Sequence, residues 1–95
     1  MSDDSPDVVD SANAAVAPTA TAVLDYLVRS LVDDPDAVVI DVVERRRGVQ
    51  LEVRTAPGDM GRVIGRRGRT AQSIRTVVRA AATRDGIEVD VDFAD

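Results

Sequence analysis

Three short segments of this chain alternate apolar and polar residues, and this pattern limits the possible folds more than any other feature. The segments are residues 38–42, 49–53 and 87–93, with apolar positions at Val38, Ile40, Val42, Val49, Leu51, Val53, Ile87, Val89, Val91 and Phe93. Successive side chains of a β-strand point to opposite faces of a sheet, so each segment predicts a strand with one buried face. Residues 46–48 separate the first two segments as a hairpin turn, which predicts an antiparallel pair.

Helical spacing accounts for most of the remaining chain. From Thr19 onward the apolar positions of a first helix are Ala20, Val23, Leu24, Leu27, Val28 and Leu31. The breaker cluster of residues 33–35, Asp-Asp-Pro, ends this helix. Residues 59–64 predict a short helical segment, and residues 69–84 predict a long amphipathic helix with an apolar stripe of Ala71, Ile74, Val77, Val78 and Ala81.

The order of these elements is helix, strand, strand, helix, helix, strand. Such an order predicts an α+β fold with two layers, in which a three-stranded mixed sheet carries three helices on one face. Two helices join the second strand to the third, so these strands should run parallel through a right-handed crossover if they are neighbours. Ninety-five residues are enough for one such domain and too few for two.

The N-terminal segment differs in composition from the rest of the chain. Residues 1–18 are rich in Asp, Ser, Ala and Pro and contain four acids and no base. We expect them to form a disordered acidic tail, which leaves residues 19–95 as the folded domain. No apolar run approaches the roughly 20 residues of a membrane helix, and a signal peptide would begin with basic residues. These features and the absence of cysteine predict a soluble, cytoplasmic protein without a membrane segment.

Several residue types that carry enzyme chemistry are missing. The chain has no histidine, cysteine, tryptophan or lysine, so the usual general base, thiol nucleophile and zinc ligands are absent. We therefore predict a protein that is not an enzyme and needs no cofactor, with a small hydrolase as a distant alternative. Glu88, Asp90 and Asp92 alternate along one strand, and such acids are expected to form a solvated face more often than a metal site.

Charge is distributed very unevenly along the chain. The formal net charge is -5, yet residues 57–84 carry +6, from seven arginines and the single acid Asp59. The outward sheet face is expected to repel a polyanion, because its charged residues are Arg54 and the acids Asp41, Glu52, Glu88, Asp90 and Asp92. Its aromatic residues are also too few to stack bases, since the chain has only Tyr26 and Phe93 and the latter falls on the buried face. A polyanion is therefore expected on the helical side.

The segment Gly-Arg-Arg-Gly, residues 65–68, lies between the two helices of this basic region. Glycine at each end permits φ values that other residues avoid and leaves room for a phosphate to approach the backbone. The free N–H groups at the start of the following helix add partial positive charge. Arg66 and Arg67 supply full charges, and Arg62 and Arg69 flank them, so the segment predicts a phosphate clamp. Two glycines three positions apart are by themselves a weak signal.

The wider context strengthens that signal. The run VIGRRGRTAQSIRTVV, residues 63–78, resembles the KH-domain signature, in which a hydrophobic pair and Gly-x-x-Gly lead into an amphipathic helix. The order of elements is similar to the bacterial type II KH arrangement, and the resemblance covers residues 19–93. A lone domain of this kind resembles the small bacterial single-KH RNA-binding proteins of the KhpA type. This resemblance implies a sequence-tolerant binder of single-stranded RNA, acting as an RNA chaperone or post-transcriptional regulator.

The resemblance also implies partners and site residues. The expected partners are RNA and a second KH protein, either another copy of this chain or a protein of the KhpB or Jag type. Gly65 and Gly68 match the loop glycines of the family. The expected RNA-binding residues are Arg62, Ile64, Gly65, Arg66, Arg67, Gly68, Arg69 and Arg75. Many KH domains have an aliphatic residue where this chain has Ala71, which predicts a shallower groove and weaker base selectivity.

Other interpretations remain open at this point. The arginines could be a solvated surface, and Arg75 and Arg79 need no function as solvated charges. Residues 45–47 are three further arginines, expected to form a separate patch because a helix of about 24 Å should return the chain to the far end of the sheet. The competing function is a protein-interaction module whose arginine-rich helix face docks an acidic partner.

Overall fold

A computed structural model describes residues 16–94. The helices and strands are α1 (Pro18–Leu31), β1 (Val39–Arg45), β2 (Gly48–Arg54), α2 (Met60–Ile64), α3 (Arg69–Asp85) and β3 (Val89–Phe93). Short 3₁₀ turns occur at Pro35–Ala37 and Arg66–Gly68. The predicted order of elements is confirmed. The third strand is shorter than predicted, because it begins at Val89 and not at Ile87.

The three strands form one sheet in the order β1-β2-β3. The hairpin strands β1 and β2 are antiparallel, with Val39 opposite Arg54 and Arg45 opposite Gly48. Strands β2 and β3 are parallel neighbours, as the crossover argument predicts, and Val49 pairs with Val89. Both α2 and α3 lie in the connection between them, which is long enough for parallel pairing.

The helices bury their apolar positions against one face of this sheet. In α1 the buried residues are Ala20, Leu24 and Val28, which recur every four positions. In α3 they are Ala71, Ile74, Val78 and Ala82. The interior also includes Leu51 and Val53 of β2 and Val63 of α2, which are fully buried. Each buried Leu, Ile or Val side chain contributes about 1.5–3 kcal/mol through removal of apolar surface from water.

Some predicted core positions are wrong. The buried stripe of α3 is narrower than expected, since Val77 is 47% exposed and Ala82 takes a core position instead of Ala81. Leu31, the last residue of α1, is 39% exposed. Phe93 packs against the core on the face where it was expected, but it is only half-buried at the end of β3.

The first helix is joined to the third by a carboxylate. Asp85, the last residue of α3, accepts hydrogen bonds from the backbone N–H groups of Thr19 (3.0 Å) and Ala20 (2.9 Å). Desolvation favours the neutral acid, but these hydrogen bonds outweigh it and lower the pKa of Asp85 below its ordinary value. The carboxylate therefore supplies the cap that Ala17, at the N-cap position of α1, cannot supply.

The described residues begin three positions before Thr19, the expected start of the domain. Most of the expected tail, residues 1–18, lies outside the described residues. Of its last three residues, Val16 packs on the core, Ala17 is fully buried and Pro18 begins α1. Packing therefore begins a few residues before Thr19. Within residues 16–94, no helix combines the length and apolar character needed to cross a bilayer.

Candidate nucleic-acid interface

The loop between α2 and α3 is built on two different glycines. Gly65 ends α2 at φ 76° and ψ 175°, and its N–H donates to the carbonyl oxygen of Gly61. A Cβ on Gly65 would collide with the side chain of Thr70. Gly68 has φ 72° and ψ 15°, and a Cβ there would meet nothing within 4 Å. Thus Gly65 lets the loop pack closely, whereas Gly68 leaves its side open to an approaching molecule.

Arg67 has an unusual backbone for a residue with a side chain. Its φ of 57° and ψ of 23° lie in the left-handed region. Among the described residues it is the only one other than glycine with a positive φ. For an L-residue this conformation costs on the order of 1–2 kcal/mol. Residues in sparsely populated backbone regions cluster at functional sites, so Arg67 points to a role for this loop beyond stability.

Three of the predicted arginines around the loop remain open to solvent. Arg66, Arg67 and Arg69 are exposed, and within residues 16–94 their side chains form no ion pair or hydrogen bond. Arg69 also begins α3, whose N-terminus receives no side-chain cap from Gly68. Positive charge from the helix N-terminus and from three guanidinium groups therefore converges on one exposed place.

Arg62 differs from these three. One of its terminal nitrogens lies 3.0 Å from Asp33, and its Nε lies 3.6 Å from Asp59. Sequence reasoning found Asp59 nearby but missed Asp33, which only the fold brings close. Asp59 is 5% exposed and accepts a hydrogen bond of 3.1 Å from the backbone N–H of Asp34. Arg62 therefore also joins α2 to the segment that follows α1, and part of its charge is compensated.

Arg75 lies away from the loop, against the edge strand. Its Nε donates to the carbonyl oxygen of Val91 at 3.1 Å, and a second nitrogen donates to Gln72 at 2.9 Å. The guanidinium carbon lies 5.1 Å from the ring centroid of Phe93, within the range of a cation–π contact. Arg75 therefore bridges α3 and β3, and its contacts hold that strand to the helix.

The two apolar residues near the loop are less accessible than the arginines. Ile64 is half-buried at the end of α2, directly before Gly65. Ala71 is 2% exposed and packs in the first turn of α3. The accessible part of the predicted site is therefore the backbone and the arginines of the loop, with Ile64 at its border.

The sheet face opposite the helices carries a row of acids. Asp41 pairs with Glu52 and Glu52 pairs with Asp92, so three carboxylates cross the three strands in register. Arg54 donates to Glu52 at 3.2 Å. Within the described residues no group of such side chains has an arrangement that could hold a metal ion. As the alternation predicted, this face is acidic and disfavours a polyanion.

The order of elements, the mixed sheet and the Gly-x-x-Gly loop between two helices define a type II KH domain. Comparison with known proteins agrees. The family model described as KhpA/KhpB, KH domain, matches residues 21–93.

Named bacterial relatives are similar over about 70% or more of the chain. The RNA-binding protein KhpA of Mycobacterium tuberculosis is 50% identical over 68 residues, which cover 72% of this chain and 84% of that protein. The protein of the same name in Streptomyces coelicolor is 52% identical over 68 residues, covering 72% and 85%. In Clostridium acetobutylicum it is 44% identical over 70 residues, covering 74% and 93%. The chain belongs to the KhpA/KhpB KH-domain family.

Proposed function

We propose that this chain binds single-stranded RNA with little base selectivity and grips the sugar–phosphate backbone at the loop Gly65–Gly68. The KH relatives named above are RNA-binding proteins, and KH loops clamp about four nucleotides. The observation that carries the proposal is the left-handed backbone of Arg67 beside the uncapped start of α3. Arg67 is exposed, so packing gives no reason for its strained backbone. Contact with an RNA phosphate would give such a reason.

Each part of the loop has a distinct role in this mechanism. Gly68 leaves space for the phosphate, because a side chain there would occupy the open side of the loop. Arg66, Arg67 and Arg69 supply guanidinium groups that form charge-assisted hydrogen bonds with phosphate oxygens. The dipole at the start of α3 adds partial positive charge that is already oriented when RNA arrives, although the N–H of Arg69 itself donates to the carbonyl oxygen of Arg66.

The bases then lie in the groove between α3 and β3. Arg75 and Phe93 line this groove, and both have flat surfaces on which a base can stack. Aromatic residues make up only 2% of the chain, so stacking and base-specific contacts are few. Backbone contacts therefore supply most of the affinity, which accounts for sequence tolerance. Binding of cellular RNA would place the protein in the cytoplasm.

A charge reversal in the loop tests the proposal. Arg66→Asp combined with Arg67→Asp replaces two unpaired cations by anions and should abolish measurable binding of a single-stranded RNA in fluorescence anisotropy. The matched control is Arg54→Asp combined with Arg84→Asp, which changes net charge equally on residues outside the loop. Circular dichroism checks that both variants are folded. Equal affinity of the loop variant and the wild type would contradict the proposal.

A second KH protein would increase the modest affinity of a single module. The partner is a second copy of this chain or a protein of the KhpB type, and two linked loops gain affinity through effective concentration. Sedimentation velocity of the purified chain, alone and with a KhpB-type protein from the same cell, measures this association. If the chain stays monomeric both alone and with the KhpB-type protein, at concentrations that saturate RNA, this part of the proposal is wrong.

A further inference from the structure

An open cleft of about 710 Å³ lies at the hairpin end of the domain, away from the Gly65–Gly68 loop. The turn between β1 and β2, the last turns of α3 and the start of β3 enclose it. Its volume falls in the range of about 300–1,000 Å³ that is usual for ligand pockets. Four arginines line it, namely Arg45, Arg46, Arg47 and Arg79. The patch expected from residues 45–47 thus includes a residue of α3.

Two of these arginines are held by neighbours and two are open. The side chain of Arg45 donates to the amide oxygen of Gln50, and that of Arg79 donates to Asp90 at 2.7 Å. Arg46 and Arg47 are exposed at the tip of the turn, and within residues 16–94 their side chains form no ion pair or hydrogen bond. The cleft therefore has two oriented guanidinium groups and two that are free to meet an anion.

The floor of the cleft is apolar. Val49, Val89 and Ala82 are buried there, and Ile87 is half-buried. An apolar floor with guanidinium groups at its rim suits a nucleotide, which has a flat base and a phosphate. The lining contains no aromatic residue, so this chemistry favours phosphate contact over selection of a base.

The position of the cleft favours RNA as its occupant. Helix α3 is about 25 Å long, with the Gly65–Gly68 loop at its start and the cleft at its end. Between them, Arg75 donates to Val91 and Arg79 donates to Asp90, so arginines continue along the side of α3 that faces β3. We infer that the cleft is a second contact site for the RNA backbone, engaged by strands long enough to run from the loop along α3. This inference rests on the proposed function.

RNA length separates the two sites experimentally. Fluorescence anisotropy with single-stranded RNAs of about four nucleotides, the span of the loop, and about twelve compares the wild type with Arg46→Ser combined with Arg47→Ser. Loss of two phosphate contacts should weaken binding of the longer RNA about tenfold and reduce the salt slope of its log affinity by about 1.4. Binding of the shorter RNA should not change. The charge-matched control, Arg54→Ser combined with Arg84→Ser, should bind both RNAs like the wild type.

Two results with this variant would overturn the inference. One is unchanged affinity for the longer RNA, and the other is an equal loss for both lengths. If the proposed function itself is wrong, the wild type will bind neither RNA. That result differs from the two above, and it would also contradict the inference.

Replacing Glu88 tests the inference in the opposite direction, because it should strengthen RNA binding. Glu88 lines the cleft without an ion-pair partner among residues 16–94. Glu88→Gln should therefore strengthen binding of the longer RNA about twofold by removing repulsion, and a weakening would count against the inference.

An acidic peptide is the competing occupant of the cleft. Polyglutamate that binds the wild type but not the Arg46/Arg47 variant, while both bind the longer RNA equally, would reassign the cleft to a protein.

Discussion

Helices α1 and α3 both begin with backbone N–H groups that lack a helical partner, but the charges around the two helix starts are opposite. The first N–H groups of a helix have no partner within it, and they attract negative charge. At the start of α1 the carboxylate of Asp85 accepts hydrogen bonds from Thr19 and Ala20. At the start of α3 the N-cap residue is Gly68, which has no side chain, and exposed arginines surround it.

Under the proposed function, the difference separates a helix start that stabilises the domain from one that binds RNA. An internal anion at α1 locks two helices together, and it leaves no place for an external one. The start of α3 has no side-chain cap, which is worth roughly 1 kcal/mol, and it is the place where we propose that an RNA phosphate binds.

The largest expected effect on stability comes from adding a side chain at Gly65. Gly65→Ala places a Cβ against Thr70 at a φ that only glycine adopts easily. We expect a loss of about 2–3 kcal/mol in the free energy of unfolding, measured by urea denaturation. The control is Gly61→Ala, where a Cβ meets nothing within 4 Å and the free energy of unfolding should stay level or rise by about 0.5–1 kcal/mol. Equal stability of the two variants would show that the loop does not need its close packing.

The next effect concerns the internal cap of α1. Asp85→Ala should lower the free energy of unfolding by about 1–2 kcal/mol at neutral pH and leave RNA affinity unchanged, because the residue lies outside the loop. Weaker RNA binding by a folded Asp85→Ala protein would break the separation between the two helix starts.

The cap also predicts a pH dependence. Because the pKa of Asp85 is lowered in the folded protein, its contribution is fully present above the unfolded value of about 3.9. It is lost as the pH falls through the lower folded value. Asp85→Asn should therefore remove part of the acid destabilisation of the wild type below about pH 4, measured by thermal unfolding. Parallel pH profiles for the two proteins would count against a charged cap.

A smaller effect is expected at Arg67, where one substitution should raise stability and weaken RNA binding. Asparagine tolerates the left-handed region better than arginine, so Arg67→Asn should raise the free energy of unfolding by about 0.5 kcal/mol while weakening RNA binding. Arg66 is not among the residues with positive φ. Arg66→Asn should therefore weaken binding without the gain in stability. A stability gain with RNA affinity intact would mean that the strain at Arg67 has no role in binding.

The smallest effect separates a paired arginine from an unpaired one. Arg69→Ser should reduce the salt slope of log RNA affinity by about 0.7, the value of one lost phosphate contact on a single strand. Arg62→Ser should change that slope much less, because Asp33 and Asp59 already compensate its charge. Titrations at several salt concentrations measure both slopes, and equal slopes would make the pairing of Arg62 irrelevant to RNA.

Sequence periodicity predicts the fold well because its signals are local. A period of two identifies all three strands, and helical spacing identifies α1 and α3. The same spacing misplaces Val77, since the width of a buried stripe depends on how the helix rotates against the sheet. The Gly-x-x-Gly pattern locates the loop, because glycine is needed there for local backbone reasons.

The contacts that distinguish neighbouring residues were not predictable from the sequence. Asp85 caps a helix 66 residues earlier in the chain, and Asp33 reaches Arg62 only when α1 and α2 pack together. No sequence signal marks the left-handed backbone of Arg67. These features depend on the completed tertiary structure, so they decide which of the predicted arginines are free.

The most direct test of RNA binding at the loop is ¹⁵N-resolved NMR, which follows backbone amide chemical shifts during titration with a single-stranded RNA. If RNA binds at the loop, large changes are expected at residues 65–70, around the start of α3. None are expected at Thr19 and Ala20, whose N–H groups are bonded to Asp85. Changes confined to the acidic sheet face or to the start of α1, with residues 65–70 unaffected, would contradict RNA binding at the loop.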